Sequence, residues 1–227
     1  MKAMILAAGR GSRMGSLTEE IPKPLTKIGN LTLIEHNIFR LKKSGITNIC
    51  INVSYLGNQI RDYLKTGKDL GVDITYMDEE DNMLGTGGGI LNAIPFLGDK
   101  PFWLVNADLY SDFQIPRNFN LKPSFLAHLI LVPNPEHNRE GDFYLKKNKV
   151  SIGPKNRPYT YSGISFLSPE LFKHQNKKIF PLEPILEENA KAGNISGEFY
   201  DGLWSDIGTK ERLQLSRSHY KNRLKIS

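Results

Sequence analysis

Short apolar runs rich in β-branched and aromatic residues alternate along the first half of the chain with stretches whose apolar positions recur at helical spacing. In order these are KAMILA, LIEHNIFRLKKSG, NICINV, LGNQIRDYLKTG, VDITYM, TGGGILNAIPFL and PFWLVNAD. Strand and helix patterns in that alternation predict repeated βαβ units, hence a Rossmann-like α/β fold, a mainly parallel sheet with helices on both faces. Leu33, Ile34, Asn37, Ile38 and Leu41 fall on one stripe of a helix over 33–44, and Gly45 supplies the residue that commonly ends one. In the second half, strands at FLAHLILV, DFYLKK and YTYSGISFL give way to a helix near LEPILEENAKAG, then ISGEFYDGLWSDIG and a final helix from Thr209. This looser alternation predicts a lid or subdomain built on the same sheet. No Pro/Gly/Ser-rich linker divides the chain, so 1–227 reads as one domain with halves of about 1–115 and 116–227. In open α/β sheets ligands lie beyond the carboxyl ends of the strands, which predicts that the segments after Leu6, Met77 and Val105 open on one shared edge.

Directly after the first strand comes AAGRGSRM, where Gly9 and Gly11 let the backbone turn and aim N–H groups at a phosphate. Two common phosphate loops are excluded. No GK[ST] ending follows, and Met14 stands where a dinucleotide fingerprint has its third glycine. The strand NICINV leads into Ser54 and Tyr55 rather than an acid for a ribose, which counts against an NAD-linked dehydrogenase. Arg13 lies two residues past Gly11, and Lys23 sits between Pro22 and Pro24, which are expected to hold it extended. A planar fork and a compact point charge on one loop suit a polyphosphate.

Asp108 follows an apolar strand in VNAD, and Asp206 occupies a similar place in WSDIG. Each alone fits a turn or a helix cap, whereas the two together offer carboxylates to a hard divalent cation. In LGTGGGI, Thr86 enters a helix through Gly87 and Gly88; glycines there point either to a bound base and ribose or to close packing of the helix.

Composition narrows the partners. The 30 Lys+Arg against 24 Asp+Glu give a net charge of +6, which suits an anionic partner. The densest basic segments, Lys146–Lys149 and Lys210–Lys225, carry no interleaved series of stacking aromatics and read as solvated surface, not as a nucleic-acid site. Cys50, the single cysteine, lies inside ICINV; it allows no intramolecular disulfide and reads as a small buried hydrophobe. The apolar start MKAMILAAG is too short for a secretory signal or a membrane span, so a cytoplasmic protein with no membrane partner is expected.

LAAGRGSRM followed by PKPL resembles the signature of the sugar-phosphate nucleotidyltransferases. LGTGGGI, LVNADLY, GDFYL, YSGISFL and SGEFYDGLWSDIGT resemble its N-acetylmuramate 1-phosphate uridylyltransferase branch. The likeness runs over almost the whole chain and implies the nucleotide-diphospho-sugar transferase type of fold, and transfer of UMP from UTP to a sugar 1-phosphate with release of pyrophosphate. It implies a nucleotide site of Ala8, Gly9, Gly11, Ser12, Arg13, Lys23, Glu80, Thr86, Gly87, Gly88 and Asn106, with Arg13 and Lys23 catalytic. Asp108 and Asp206 would hold Mg²⁺. A carboxylate at Glu80 can accept from uracil N3–H, although a solvated Glu80 fits the acidic loop equally. On the sugar side the resemblance implies Asn106, Gly141, Asp142, Ser162, Gly163 and Glu198, where ordinary strand-edge turns explain the same residues. One position departs from the uridylyl branch, which often carries an acid just before the threonine where this chain has Gly85. Transfer with another NTP remains open, as in mannose 1-phosphate guanylyl-, glucose 1-phosphate thymidylyl- or phosphocholine cytidylyltransferases, and so does a silent nucleotide-sensing relative. A monomer or homodimer, without the β-helical acyltransferase domain fused to some relatives, is expected.

Overall fold

In the computed structural model, which describes residues 1–79 and 83–226, the first half runs β1 (Lys2–Leu6), β2 (Lys27–Ile28), β3 (Leu31–Thr32), α1 (Leu33–Lys43), β4 (Asn48–Val53), α2 (Gly57–Leu64), β5 (Asp73–Asp78), α3 (Gly85–Leu97), β6 (Phe102–Asn106) and β7 (Leu109–Ser111). Then follow β8 (Ala127–Pro133), β9 (Tyr144–Lys146), β10 (Lys149–Ser151), β11 (Tyr159–Leu167), α4 (Glu183–Ala192), β12 (Ile195–Phe199), β13 (Trp204–Asp206) and α5 (Lys210–Ile226).

Nine strands share one sheet in the order β5-β4-β1-β6-β11-β8-β12-β10-β9. From β5 to β6 every pairing is parallel, as the βαβ pattern predicts. β11 then enters antiparallel between β6 and β8, β12 runs parallel to β8, and β10 and β9 close the far edge antiparallel. Antiparallel neighbours need no crossover helix, which is why helical periodicity fades in the second half of the sequence.

Alternation along β1 shows why helices cover both faces. Ala3 and Ile5 join one buried cluster with Ile34, Ile38 and Leu41 of α1 and Ile60 of α2. Met4, pointing the other way, joins Ile90, Ala93 and Leu97 of α3 and Ile185 and Leu186 of α4. Each such Ile or Leu contributes about 1.5–3 kcal/mol of burial, so the register of β1 is strongly fixed.

The start of α1 is set by a reciprocal cap. Thr32 N donates to Glu35 Oε2 at 2.8 Å and Glu35 N donates to Thr32 Oγ1 at 3.3 Å. The helix ends as predicted, with Gly45 at φ +81°. Asn37, on the buried stripe, donates to the carbonyls of Leu33 at 2.9 Å and Leu109 at 3.1 Å, while its own oxygen accepts from Arg40. That bond ties α1 to β7, the strand that directly follows Asp108.

Candidate active site

The carboxyl ends of β1, β4, β5 and β6 open together. Ala7, Asn52, Glu79 and Asn106 line one cavity of about 570 Å³, so the segments after Leu6, Met77 and Val105 do share an edge. That volume is in the ordinary range for a small-molecule site. Ala8, Gly9, Gly11, Ser12 and Arg13 line it from the glycine loop, and Lys23, Thr86 and Asp108 complete it.

Gly11 sits at φ +66°, and a Cβ there would lie 3.1 Å from the Cβ of Lys23. Glycine at this position therefore both permits the turn and lets the lysine stem lie against the loop. Lys23 is 8% exposed, and its Nζ donates to Asp108 Oδ2 at 2.5 Å. The extended conformation expected for Lys23 is not what forms. Pro22 alone is extended, and Lys23 opens a 3-10 turn closed by Leu25 N donating to the Pro22 carbonyl at 2.8 Å. Pro24 fits inside that turn because its fixed φ and missing N–H suit the first helical positions. Arg13 is exposed at the cavity mouth.

Asp108 and Asp206 are far apart in sequence and adjacent in space. β13 pairs antiparallel with β7, setting Asp206 opposite Leu109, and Ile207 N donates to the Asp108 carbonyl at 2.9 Å. The Asp206 carboxylate is held by Arg212 Nη1 at 2.5 Å and lies 3.2 Å from His137 Nε2. Each acid thus has a cation beside it. Among the described residues no cluster of three or more His, Cys, Asp or Glu side chains could hold a metal ion, and of these two acids Asp108 lines the cavity whereas Asp206 does not.

Sequence reasoning missed two polar side chains in this cavity, Asn52 and Glu79. Glu79 is buried, its Oε1 accepts from Asn52 Nδ2 at 2.6 Å, and its Oε2 accepts from Leu84 N at 2.8 Å. Asn52 Oδ1 in turn accepts from Ala7 N at 2.8 Å. One carboxylate therefore braces the glycine loop, the end of β4 and the entry to α3. Gly89 belongs to the same unit, since a Cβ there would strike Glu79 Oε1 and stand 2.8 Å from Asn52 Nδ2. The available signal was an asparagine inside NICINV, because a buried amide in an apolar strand needs a partner. Glu79→Ala should cost about 2–4 kcal/mol of stability by stranding those donors and should raise KM for the nucleotide. Denaturant melts run alongside initial rates would check this, and an unchanged midpoint would remove Glu79 as a brace. Glu80 lies outside the described residues.

The glycines of α3 have a packing role. Gly87 N and Gly88 N donate to the Phe180 carbonyl at 3.0 and 3.1 Å. A Cβ at Gly87 would overlap the Phe180 ring, and one at Gly88 the Lys178 carbonyl. Thr86 Oγ1 accepts from Leu182 N at 2.8 Å. Helix α3 is thereby clamped to the segment 178–182, which places Ile179, Phe180 and Pro181 along the main cavity.

Leu6, Thr86 and Asn106 also line a second cavity of about 290 Å³, bounded further out by Asp142, Phe143, Tyr161, Leu182, Glu183, Leu186 and Glu187. Asp142 accepts from Asn138 Nδ2 at 2.9 Å and from Tyr161 N at 2.7 Å. Burial, and secondarily Glu183, pushes the Tyr161 phenol up, so it stays a neutral hydroxyl, 2.7 Å from Ser165 Oγ. Of the other residues expected on this side, none lines either cavity. Gly141, at φ +63°, packs on the Arg157 carbonyl where no Cβ would fit. Ser162 and Gly163 form the irregularity between Tyr161 and Ser165 of β11; Ser162 Oγ accepts from Ile164 N at 3.2 Å, and Gly163 packs against Asn106. Glu198 stands 3.9 Å from His128 Nε2 on β8. Trp204 Nε1 donates to the Ser162 carbonyl at 2.9 Å, tying β13 to that irregularity.

Residues 2–141 match the Nucleotidyl transferase family. Over 222 residues the chain is 41% identical to the N-acetylmuramate alpha-1-phosphate uridylyltransferase of Neisseria meningitidis serogroup B, covering 94% of this chain and 96% of that protein. It is 28% identical over 223 residues to the Caulobacter vibrioides protein of the same name, covering 91% of each. In fold it is similar to HddC from Yersinia pseudotuberculosis, solved with GMP-PN, at a TM-score of 0.80 and 23% identity over 96% of this chain and 99% of that one. With the family match over more than half its length and 41% identity across nearly all of it, the chain belongs to the nucleotidyl transferase family, among its sugar-phosphate nucleotidyltransferases.

Proposed function

We propose that this protein transfers UMP from UTP to N-acetylmuramate 1-phosphate, giving the UDP-sugar and pyrophosphate. The observation that carries the chemistry is the meeting of Lys23 and Asp108 at 2.5 Å in the cavity walled by the glycine loop. The base and the acceptor are drawn from the relative that is 41% identical. An oxygen of the acceptor phosphate attacks the α-phosphorus in line, the new O–P bond forms, and the bond to the β-phosphate oxygen breaks to release pyrophosphate. No general base is needed, since that phosphate is already ionised near neutral pH. What remains is positioning and charge neutralisation.

On this reading the amides of Gly9, Gly11 and Ser12 and the Ala8 backbone cradle the phosphates. Arg13, free to swing at the mouth, takes the leaving pyrophosphate. Lys23 takes the α-phosphate or the acceptor phosphate, which lie between the two cavities beside Asn106 and Thr86. Mg²⁺ favours one or two carboxylates with phosphate oxygens and water; held by Asp108, in the turn before β7, and by Asp206, at the end of the paired β13, it would neutralise charge on the reacting phosphates. Both halves of the chain contribute to the one site, which supports treating 1–227 as a single working unit. Among the described residues no helix is long and apolar enough to cross a membrane. The reading puts the reaction in the cytoplasm and in the recycling of wall sugars.

The test is pyrophosphate release across the four NTPs, each with a panel of sugar 1-phosphates and phosphocholine. UTP with N-acetylmuramate 1-phosphate should give the highest kcat/KM. A higher value for GTP with a mannose-type phosphate would overturn both base and acceptor. UTP binding without turnover on any acceptor would make this a nucleotide-sensing protein.

A further inference from the structure

The second cavity poses a charge problem for the proposed acceptor, and its resolution rests on that functional reading. Among the described residues its lining carries three carboxylates, Asp142, Glu183 and Glu187, and no lysine or arginine. N-acetylmuramate 1-phosphate differs from the parent N-acetylhexosamine phosphate by a lactyl ether that ends in a carboxylate. Its phosphate must lie toward Lys23, so the carboxylate is carried to the outer, acidic end. An unpaired carboxylate among three others would be repelled.

One cation stands immediately behind that wall. Arg157 Nη1 donates to the Asp142 carbonyl at 3.1 Å and lies 3.5 Å from Glu187 Oε1, and its side chain is 25% exposed. Both contacts are to residues that line the cavity. The pairing with Glu187 is long for a hydrogen bond, whereas a guanidinium presents a planar fork that matches a carboxylate bidentately. The backbone around Arg157 is well anchored: its N donates to the Glu140 carbonyl at 2.7 Å and its carbonyl accepts from Asn134 Nδ2 at 2.6 Å. The side chain can therefore change partner while its root stays fixed.

We infer that Arg157 reads the carboxylate of the acceptor sugar, exchanging its loose contact with Glu187 for a paired bond to the substrate. An acceptor without the carboxylate leaves Arg157 with Glu187 and gains nothing from the exchange. Arg157 thus sets selectivity between acid-bearing and neutral sugar phosphates, and Glu187 competes with the substrate for it.

The experiment measures kcat/KM of the full chain with saturating UTP for N-acetylmuramate 1-phosphate and for N-acetylglucosamine 1-phosphate, and compares their ratio among variants. Arg157→Gln should lower the ratio by about ten- to a hundredfold, in line with loss of one charge-assisted pair. Arg157→Lys should recover part of it, since the charge remains and the fork does not. Glu187→Gln should raise it, and Lys155→Ala, an exposed neighbouring charge, should leave it unchanged. Equal losses on both acceptors in Arg157→Gln would reduce Arg157 to a brace and overturn the inference. If Arg157→Gln fails to fold, a Glu187→Gln ratio that stays level or falls overturns it equally. Failure of the functional reading is visible separately, because the unmodified protein would then prefer the neutral sugar or turn over neither.

Discussion

Lys23→Ala is expected to lower kcat/KM for pyrophosphate release about 1000-fold while leaving the protein folded. Lys23 lines the cavity because Gly11 makes room for its stem and the 22–25 turn fixes its root. A preorganised cation aimed at developing phosphate charge in a partly dry cleft contributes about 100- to 1000-fold, and the upper end corresponds to about 4 kcal/mol of transition-state stabilisation. The stability effect should be smaller. The ion pair with Asp108 joins a lysine side chain 10% exposed to an aspartate 29% exposed, and that aspartate keeps solvent contact when the lysine is truncated. Rates and thermal melts on the same preparation separate the two effects. A Lys23→Ala protein with native kcat/KM would remove the lysine from the mechanism, whatever its melting temperature. Lys23→Arg should restore little, because a planar guanidinium cannot act as the compact point charge that Nζ supplies.

Asp108→Asn should have the second largest effect, a loss of about 100- to 1000-fold in kcat together with a higher divalent-cation concentration for half-maximal rate. The substitution keeps shape and hydrogen-bonding capacity but removes the formal charge that faces both Lys23 and the proposed ion. Its backbone is held independently, through the Asp108 carbonyl that accepts from Ile207 N at 2.9 Å. Local geometry should therefore survive, and a changed metal dependence is diagnostic of charge rather than of collapse. Asp206→Asn should shift the metal titration in the same direction. If Asp108→Asn lowered kcat with no change in the metal titration, the acid would be a partner of Lys23 alone. A metal titration altered only in Asp206→Asn would leave a single protein ligand.

Much of the wall of the main cavity is legible in the amino-acid order. The glycine loop and Asp108 follow closely on two short apolar strands, Arg13 and Lys23 lie further along the segment that begins with that loop, and strand ends in a parallel sheet share an edge. The same local logic located the end of α1 at Gly45. It failed where a residue's role depends on a partner far along the chain. The glycines of LGTGGGI could serve a ligand or a neighbouring segment, and only the approach of 178–181 shows that they pack against one. Glu79 lines the cavity and is held there by Asn52 on the neighbouring strand, a pairing that no local pattern announces.

The sequence by itself determined which faces are buried, where the backbone must turn tightly and which side chains carry charge, since these depend on short-range sterics and hydrophobic period. Tertiary structure alone decided that β11 slots in antiparallel beside β6, that β13 pairs with the strand following Asp108, and that Arg212 and Arg157 stand behind acids of the second half. The physical reason is that a backbone amide or a charged group is satisfied equally well by many partners. Which one it meets is chosen by the packing of the whole sheet, and no local pattern records that choice.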